Sequence, residues 1–397
     1  MTSIHPSHDK LTPGLVWLLA SGTGLAVACL YYCQPMLGIV ATDLGASTRS
    51  TGLVPTLTQL GYALGILLLA PLGDSYDRRR LILLKCTLLS AALVVASQAG
   101  ALPWLLLASL GMGLCATLTQ DLVPAAATLA PEHKRGQVIG LVMSGLLLGI
   151  LLSRVVSGLV AAHWGWRAMF LLAALSIALL GLALAWRLPR FTPTTQLSYR
   201  ALMASLGALW RQHPALRRAA LAQGLQSVGF SAFWSTLALM LQGAPFKLGS
   251  DVAGLFGLAG AAGALAASWA GRHADQQGPE RLTRLGTGLS AACFGLMGLG
   301  TLLPPGPQLA LLALGAIGFD LGVQTSLVAH QAIVYSLDPA ARSRITAILV
   351  VCMFIGMALG SSLGAVLLST CGWVGVMLMS GLAALGGLAI RLGGKPG

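Results

Sequence analysis

Three ionisable side chains lie inside long apolar stretches of this sequence: Asp121, Asp320 and Arg154. Placing a charge inside a lipid bilayer costs free energy, so each of these groups needs a reason to be there. Asp121 lies about 14 Å and Asp320 about 18 Å from one end of its predicted helix, at a rise of 1.5 Å per residue. A carboxyl group at that depth keeps its proton unless water or a cation stabilises the charged form. Both acids are therefore proton-coupling candidates. The alternative is a structural carboxylate that is hydrogen-bonded to neighbouring helices.

Arg154 is the one Lys or Arg residue that lies deep within an apolar stretch, away from its ends. It lies about six residues from the outer end of its predicted helix, so its long side chain is expected to extend to the membrane surface. The functional alternative is a counter-charge for an embedded acid or for an anionic substrate. No set of His, Cys, Asp and Glu residues has the spacing of a metal site, and no metal is expected.

Polar side chains also follow one face of four apolar stretches, at about 100° of rotation per residue. The candidates for lining a cavity are Thr23, Tyr31, Gln34, Thr117, Gln120, Gln223, Gln226, Phe230, Trp234, Gln324 and Gln331. Polar faces turned toward lipid are unfavourable, which favours a water-filled cavity between helices. Hydrogen bonding between helices is the alternative. Glutamine amides beside aromatic rings suit amphiphilic organic molecules.

The elements that must position these residues are apolar helices. Of 397 residues, 56% are hydrophobic and 9% are charged, with a mean hydropathy of +0.81. Since a spanning helix needs about 20 apolar residues, the sequence predicts an all-α membrane protein with about twelve transmembrane helices. The predicted spans are 15–40, 51–72, 81–100, 103–130, 137–161, 166–188, 218–242, 250–271, 284–303, 308–336, 344–369 and 373–392.

Basic residues are distributed unevenly between the two sides of these spans. Arg49, Arg167 and Lys247 fall on one side. Apart from Arg154, the other Lys and Arg residues fall on the opposite side, which is therefore predicted to be cytoplasmic together with both termini. The net charge of +13 reflects this rule, and no nucleic-acid partner is expected. Lys85 is interpreted as an anchor at the cytoplasmic surface.

A polar break at 189–217 divides the chain. It is predicted to be a cytoplasmic linker between an N-terminal six-helix bundle (1–188) and a C-terminal six-helix bundle (218–397). The halves repeat weakly, since the segment 129–135 is echoed by 337–343. Two parallel repeats are what a rocking carrier needs, because a site between them can open to either side. The first apolar stretch is too long for a cleaved signal peptide and is expected to remain as the first helix.

The loop after the second predicted span reads Ala70-Pro71-Leu72-Gly73-Asp74-Ser75-Tyr76-Asp77-Arg78-Arg79-Arg80. It follows the pattern G-x-L-x-D-R-x-G-R-R, with Ala70 and Asp77 at the two glycine positions. With this loop and the segment 120–136, the chain resembles transporters of the major facilitator superfamily, and it is similar to their drug:proton antiporter and sugar-efflux branch. The resemblance covers essentially the whole chain. It implies two pseudo-symmetric six-helix bundles and a central cavity lined by helices one, four, seven and ten.

Charged residues after the second and eighth spans are expected to hold a cytoplasmic gate closed. They are Asp74, Arg78 and Arg79 in the first half and Asp275 in the second. The family's helix-five antiporter pattern, G-x-x-x-G-P-x-x-G-G, is kept only in part. Gly145 and Gly149 match it, but Ile150 replaces the proline and Ser153-Arg154 replaces the last pair. The resemblance therefore implies transport more strongly than antiport.

The expected function is secondary active transport by alternating access, as proton-coupled efflux of drug-like or sugar-like molecules. An uptake carrier or uniporter for a small metabolite is the alternative, and an intramembrane enzyme is a remote one, since no nucleophile motif or nucleotide-binding motif is present. The driving force is expected to be the proton gradient, without a cofactor. The partners are the lipid bilayer and a small-molecule substrate, and the protein is expected to act as a monomer in the bacterial inner membrane.

Overall fold

The structure is a computed structural model that describes residues 11–193, 198–260, 278–338 and 341–393, apart from the side chain of Asp74. All regular secondary structure in these ranges is helical, which confirms the predicted all-α class. The described residues before the linker form α1 (Pro13–Ala28), α2 (Cys33–Asp43), α3 (Thr48–Thr51), α4 (Leu53–Leu68), α5 (Leu72–Ser75), α6 (Arg78–Ser97), α7 (Leu102–Ala116), α8 (Thr119–Leu129), α9 (Arg135–Trp164) and α10 (Trp166–Arg187). They are followed by α11 (Tyr199–Gln212), α12 (Pro214–Gln242), α13 (Ser250–Leu255), α14 (Pro279–Leu299), α15 (Pro305–Tyr335) and α16 (Arg342–Leu392).

Within the described ranges, nine helical stretches are long and apolar enough to cross a membrane, and the bent pair α1 and α2 adds a tenth. The 51 residues of α16 extend about 77 Å at 1.5 Å per residue, more than twice the roughly 30 Å of a bilayer core. Gly372, with a φ of 67°, interrupts α16, which therefore supplies the last two predicted spans. The predicted span 250–271 begins in α13 and continues in a short 3-10 helix, Phe256–Ala259, and its residues 261–271 lie outside the described residues.

The first span bends by 41° between α1 and α2. Pro35 has no backbone N–H, so the helical bond to the Tyr31 carbonyl cannot form. That carbonyl accepts from the Gln34 amide instead, at 3.1 Å. The bend turns the side chains of Tyr31 and Gln34 toward the centre of the molecule, where both are buried.

Glycines let the helices of each half approach closely. A Cβ on Gly24 of α1 would lie 2.6 Å from the Gly145 carbonyl of α9, so no side chain fits there. Gly149 faces the backbone of Gly24 in the same crossing. The two glycines retained from the helix-five pattern thus pack α9 against α1, as small residues do in membrane helix pairs. In the second half, Gly356 of α16 lies against the Gly224 backbone of α12 in the same way.

The linker between the halves contains a helix. The sequence analysis treated 189–217 as a polar break, but α11 occupies much of it and buries Leu202, Leu206 and Leu209. Their spacing of four and three residues forms one apolar face, which packs against α12 and α16. One hydrophobic cluster draws its buried residues from 15–188 and another from 232–384, while a third joins residues of both halves.

Candidate functional site

A buried arginine lies where α2, α9 and α12 meet. Arg154 of α9 is 2% exposed, and its Nε donates to Gln34 Oε1 at 2.8 Å. Its guanidinium carbon lies 4.8 Å from the ring centroid of Tyr31 and 4.3 Å from that of Trp234. The Phe230 ring is 5.8 Å away. A cation over aromatic faces is stabilised without a water shell, and these rings hold the charge inside the protein.

The prediction that Arg154 extends to the membrane surface is wrong. Helix α9 continues to Trp164, about 15 Å beyond Arg154 at 1.5 Å per residue, so the side chain starts far from the outer surface. Its apolar stem and its guanidinium are both enclosed by other helices. The alternative that was considered, a counter-charge inside the membrane, fits this placement.

The embedded acid Asp320 of α15 lies on the other side of the same cluster. It is 4% exposed, and the Trp234 indole N–H faces its carboxylate. Asp320 and Arg154 do not form a direct salt bridge, but they are near enough for each charge to stabilise the other through the low-dielectric interior. A Cβ on Gly260 would lie 3.4 Å from Asp320 Oδ2, so the chain that follows α13 packs against the carboxylate at Gly260. Arg154 belongs to the first half and Asp320 to the second, so their interaction crosses the boundary between the halves.

Two buried hydrogen-bond donors in this cluster, Arg154 Nη2 and Gln34 Nε2, lack a partner among the described residues. The Trp234 indole N–H faces the Asp320 carboxylate. Buried polar groups are nearly always paired, so two unpaired donors on neighbouring side chains need an explanation. A ligand-binding site between the halves provides one. Across the part of the chain that the structure describes, no group of His, Cys, Asp and Glu residues is arranged to hold a metal ion.

The cluster is closed on its outer side by contacts between the halves. The Ser250 hydroxyl of α13 donates to the Gly158 carbonyl of α9 at 2.9 Å. A Cβ on Gly254 would lie 2.6 Å from the Arg154 carbonyl, so the two helices touch through their backbones. Because α9 and α13 belong to different halves, their contact seals the outer end of the space between them.

An apolar layer lies on the inner side of the cluster. Tyr31, Tyr62 and Phe354 form it together with Ile66 and other apolar side chains of both halves. The ring centroids of Tyr62 and Phe354 are 4.4 Å apart. Tyr31 contacts Arg154 on one side and belongs to this layer on the other, so the layer directly covers the buried arginine.

Beyond this layer a cavity of about 650 Å³ opens between the halves. We refer to it as the vestibule, and its polar lining is Arg78, Gln120, Asp121, Tyr335, Arg342, Ser343, Arg344 and Thr346. It opens on the side that the distribution of basic residues assigns to the cytoplasm. With the outer side sealed and the inner side open, the molecule is in an inward-facing arrangement.

The second embedded acid, Asp121, has a different environment. Its Oδ2 accepts from Lys85 Nζ at 2.6 Å, and both side chains are buried. The interpretation of Lys85 as a surface anchor is therefore wrong. Lys85 lies seven residues after Arg78, about 10 Å into α6. Its side chain points inward to α8 rather than outward to the phosphate groups of the lipids. This ion pair lies entirely within the first half.

The predicted gate residues are only partly described. Arg78 is buried and lines the vestibule, whereas Arg79 Nη2 donates to the Ala185 carbonyl at the end of α10, at 2.5 Å. Asp77, which replaces a family glycine, caps α6 by accepting from the Arg79 amide at 3.1 Å. The side chain of Asp74 and the whole of Asp275 lie outside the described residues.

The polar stripes divide between the vestibule, the cluster and the helix interiors. Thr23 and Thr117 donate to their own helices, at Leu19 and Leu114 carbonyls 2.8 and 2.6 Å away. Gln120 lines the vestibule and donates to the Tyr62 hydroxyl at 3.1 Å. The threonine hydroxyls are thus hydrogen-bonded within their own helices, while the Gln120 amide contacts Tyr62 of the apolar layer.

The glutamines of the second half fall into two groups. Gln223 and Gln226 are fully buried and bond to His330 at 2.9 Å and to Ser290 at 3.0 Å, inside the second half. Gln324 and Gln331 are half-buried on α15, the helix that carries Asp320. The structure therefore places Gln223 and Gln226 in a packing network, which was the alternative interpretation of their stripe.

Sequence reasoning missed three contributors to this region: Lys85, Tyr62 and Phe354. The seven-residue spacing from Arg78 to Lys85 spans two helical turns and places both on one face of α6, which was a usable signal. Tyr62 and Phe354 lie in apolar surroundings without a polar stripe, so no pattern in the sequence distinguishes them from core residues.

Comparison with known proteins agrees with the all-helical membrane fold. A family model described as the Major Facilitator Superfamily matches residues 19–334. The chain is 40% identical over 386 residues to the uncharacterized transporter YgaY of Escherichia coli O157:H7, covering 97% of this chain and 96% of that protein. It is 34% identical over 366 residues to the probable transporter SCO4007 of Streptomyces coelicolor, covering 92% and 84%. The structure of the nucleoside transporter NupG matches with a TM-score of 0.78 at 13% identity, over 95% of this chain and 99% of that one, which is a likeness of fold.

Proposed function

This chain belongs to the Major Facilitator Superfamily, and we propose that it is a proton-coupled secondary transporter of small organic molecules. It is a membrane transporter and not an enzyme. The observation that carries the proposal is the pair of Asp320 and Arg154, buried between the halves with the outer side closed and the inner side open. We place the protein in the bacterial inner membrane, acting as a monomer, with the proton gradient rather than a cofactor as its source of energy.

The proton would act through the attraction between the two halves. Charged Asp320 attracts Arg154 across their boundary, and a proton on Asp320 removes that attraction. A ligand shifts a conformational equilibrium only if it binds the two states differently, and a proton on Asp320 meets this condition. The charges of Arg78 and Arg79, with Asp74 and Asp275, form the proposed cytoplasmic gate in the same cycle.

Coupling through Asp320 and Arg154 is compatible with two directions of transport. Export by proton antiport is the first, because the chain resembles the drug:proton antiporter and sugar-efflux branch in the loop from Ala70 to Arg80. Uptake is the second, and one observation favours it: the buried cation Arg154 lies beside the proposed proton carrier, so a proton and an anionic substrate can be bound together.

The proposed coupling is tested in proteoliposomes. A thermal-shift screen of diverse compounds on the purified protein first identifies ligands, and counterflow and gradient-driven accumulation of a hit are then measured. We expect Asp320→Asn to keep counterflow but to reduce accumulation to the level seen without a pH gradient. Asp121→Asn is the matched variant, and we expect it to retain gradient-driven accumulation. If Asp320→Asn accumulates substrate as the wild type does, the assignment of Asp320 is wrong.

A further inference from the structure

The central cluster has more unpaired hydrogen-bond donors than acceptors. Arg154 Nη2 and Gln34 Nε2 lack partners among the residues the structure describes, whereas the Trp234 indole N–H faces the Asp320 carboxylate. All four side chains are at most 4% exposed. Donors that converge on one place suit a ligand rich in acceptors, and an arginine fork matches a carboxylate in both geometry and charge. A cationic ligand needs hydrogen-bond acceptors and negative charge, whereas this cluster offers donors and the positive charge of Arg154.

The path to this cluster from the cytoplasm is also positively charged. Arg342 and Arg344 line the vestibule, and Asp121, the acidic residue among its described lining side chains, forms an ion pair with Lys85. A cleft lined by one sign of charge raises the local concentration of oppositely charged solutes. The vestibule therefore favours the entry or exit of anions.

Aromatic rings complete the site. Tyr31, Phe230 and Trp234 surround the guanidinium, and the partly buried Phe230 gives a flat apolar surface beside it. Taking the donors, the charge of the vestibule and the rings together, we infer that the substrate is an organic monocarboxylate whose carboxylate binds Arg154, and that it travels together with a proton on Asp320. This inference rests on the proposed function and selects its uptake form.

The co-transported proton follows from the count of charges around Asp320. The charged or titratable groups near it are Arg154 on α9, Tyr31 at the α1–α2 bend and, next to Arg154, Cys33 on α2. If a substrate carboxylate takes the guanidinium, Asp320 is left as a buried charge without its counter-ion, which is strongly unfavourable. A proton on Asp320 removes this cost. Anion and proton then move as a neutral pair, and an inward proton gradient drives uptake.

The inference is tested by calorimetric titration of the full-length protein in lipid nanodiscs, with no gradient present. The probes are benzoate, phenylacetate and hexanoate, with benzamide, phenylacetamide and hexanamide as neutral counterparts and benzylammonium as the cation. We expect a carboxylate to bind at least about tenfold more tightly than its amide, since a charge-assisted hydrogen bond is lost. Titrations in buffers of different ionisation enthalpy should show the uptake of about one proton per anion bound.

Variants assign these effects to residues. Arg154→Gln should abolish carboxylate binding, and Arg80→Gln, an exposed arginine at the cytoplasmic surface, should leave it unchanged. Asp320→Asn should bind the anion without taking up a proton. If Arg154→Gln does not fold, the proton count on the wild type still decides the matter.

Equal or tighter binding of an amide or of benzylammonium would overturn the inference, and so would binding of a carboxylate with no proton uptake or with proton release. Failure of every carboxylate to bind at millimolar concentration would overturn it too. These outcomes are separate from the proposed function. A protein that binds anions but does not use a pH gradient in proteoliposomes would contradict the proposed coupling while leaving the anion site in place.

Discussion

Two acids that the sequence places at similar depth have counter-ions in different places. Asp121 pairs with Lys85 inside the first half, so it keeps its counter-ion when the halves move as rigid bodies. Asp320 faces Arg154 across the boundary between the halves, so its environment changes whenever they separate. In the sequence the two acids were equivalent, because only their predicted depth in the membrane could be compared. The location of the counter-ion is what distinguishes an acid suited to coupling from one that holds a bundle together.

Removing both members of the central pair should give the largest effect. The double variant Arg154→Met with Asp320→Leu is expected to remain folded, because apolar side chains can replace a buried ion pair at little cost. It is expected to lose transport completely, since the proposed proton site and substrate site are both gone. Size-exclusion chromatography, thermal unfolding and proteoliposome uptake check this together. Transport near the wild-type rate would contradict the assignment of the central cluster.

The same design applied to the other pair should give the opposite result for transport. Lys85→Met alone leaves the Asp121 carboxylate without its cation and should destabilise the protein by about 3–5 kcal/mol. Lys85→Met with Asp121→Leu should recover most of that stability and should transport substrate. Thermal unfolding in detergent and uptake in proteoliposomes measure the two quantities. Loss of transport by a stable double variant would remove the distinction between the acids.

A substitution at the outer contact should act on conformation. Gly254→Val places a side chain where α13 touches the Arg154 backbone, so the outer side should fail to close and transport should fall severalfold or more. The nearby Ala238→Cys, buried in the wild type, should then react faster with a membrane-impermeant thiol reagent, measured with Cys371→Ser to remove the exposed thiol.

Gly140→Val is the matched control for this substitution. Gly140 lies on α9 with no neighbour within 4 Å of an added Cβ, so reactivity of the labelled position should not change. If Gly254→Val also leaves the reactivity unchanged, the contact between α9 and α13 is not the outer closure.

The smallest effect is expected at two threonines that the polar stripes singled out. The hydroxyls of Thr23 and Thr117 donate to carbonyls of their own helices. Thr23→Val and Thr117→Val should each change the transport rate less than about twofold, because the lost hydrogen bonds are local ones to the backbone of the same helix and do not reach the cavity. A larger loss, with the free energy of unfolding unchanged, would show that these hydroxyls contact the substrate.

The sequence predicted the class of fold and the order of the helices well, because apolar stretches and the distribution of basic residues depend on the bilayer alone. It also found Asp320, Tyr31, Gln34 and Trp234, which meet at one place. It could not predict how the helices of the two halves pack together, and therefore it could not show that Arg154 is buried beside Asp320.

Other errors have the same origin. Lys85 lies on a helix whose basic first turn is cytoplasmic, so composition assigned it to the surface, and only tertiary packing turns it toward Asp121. The buried positions of Gln223 and Gln226 depend on Ser290 and His330, which lie more than sixty residues away in the chain. Helical periodicity describes one helix at a time and does not specify which face meets a neighbour.

The most direct test of the central claim measures how protonation of Asp320 sets the position of the two halves. Ala70 and Ser343 line opposite walls of the vestibule, and spin labels at Ala70→Cys and Ser343→Cys, with Cys371→Ser, report its width. In the wild type the populations of narrow and wide vestibules should shift with pH. That shift should disappear in Asp320→Asn and persist in Asp121→Asn. A shift that persists in Asp320→Asn, or that disappears only in Asp121→Asn, would contradict the proposed coupling.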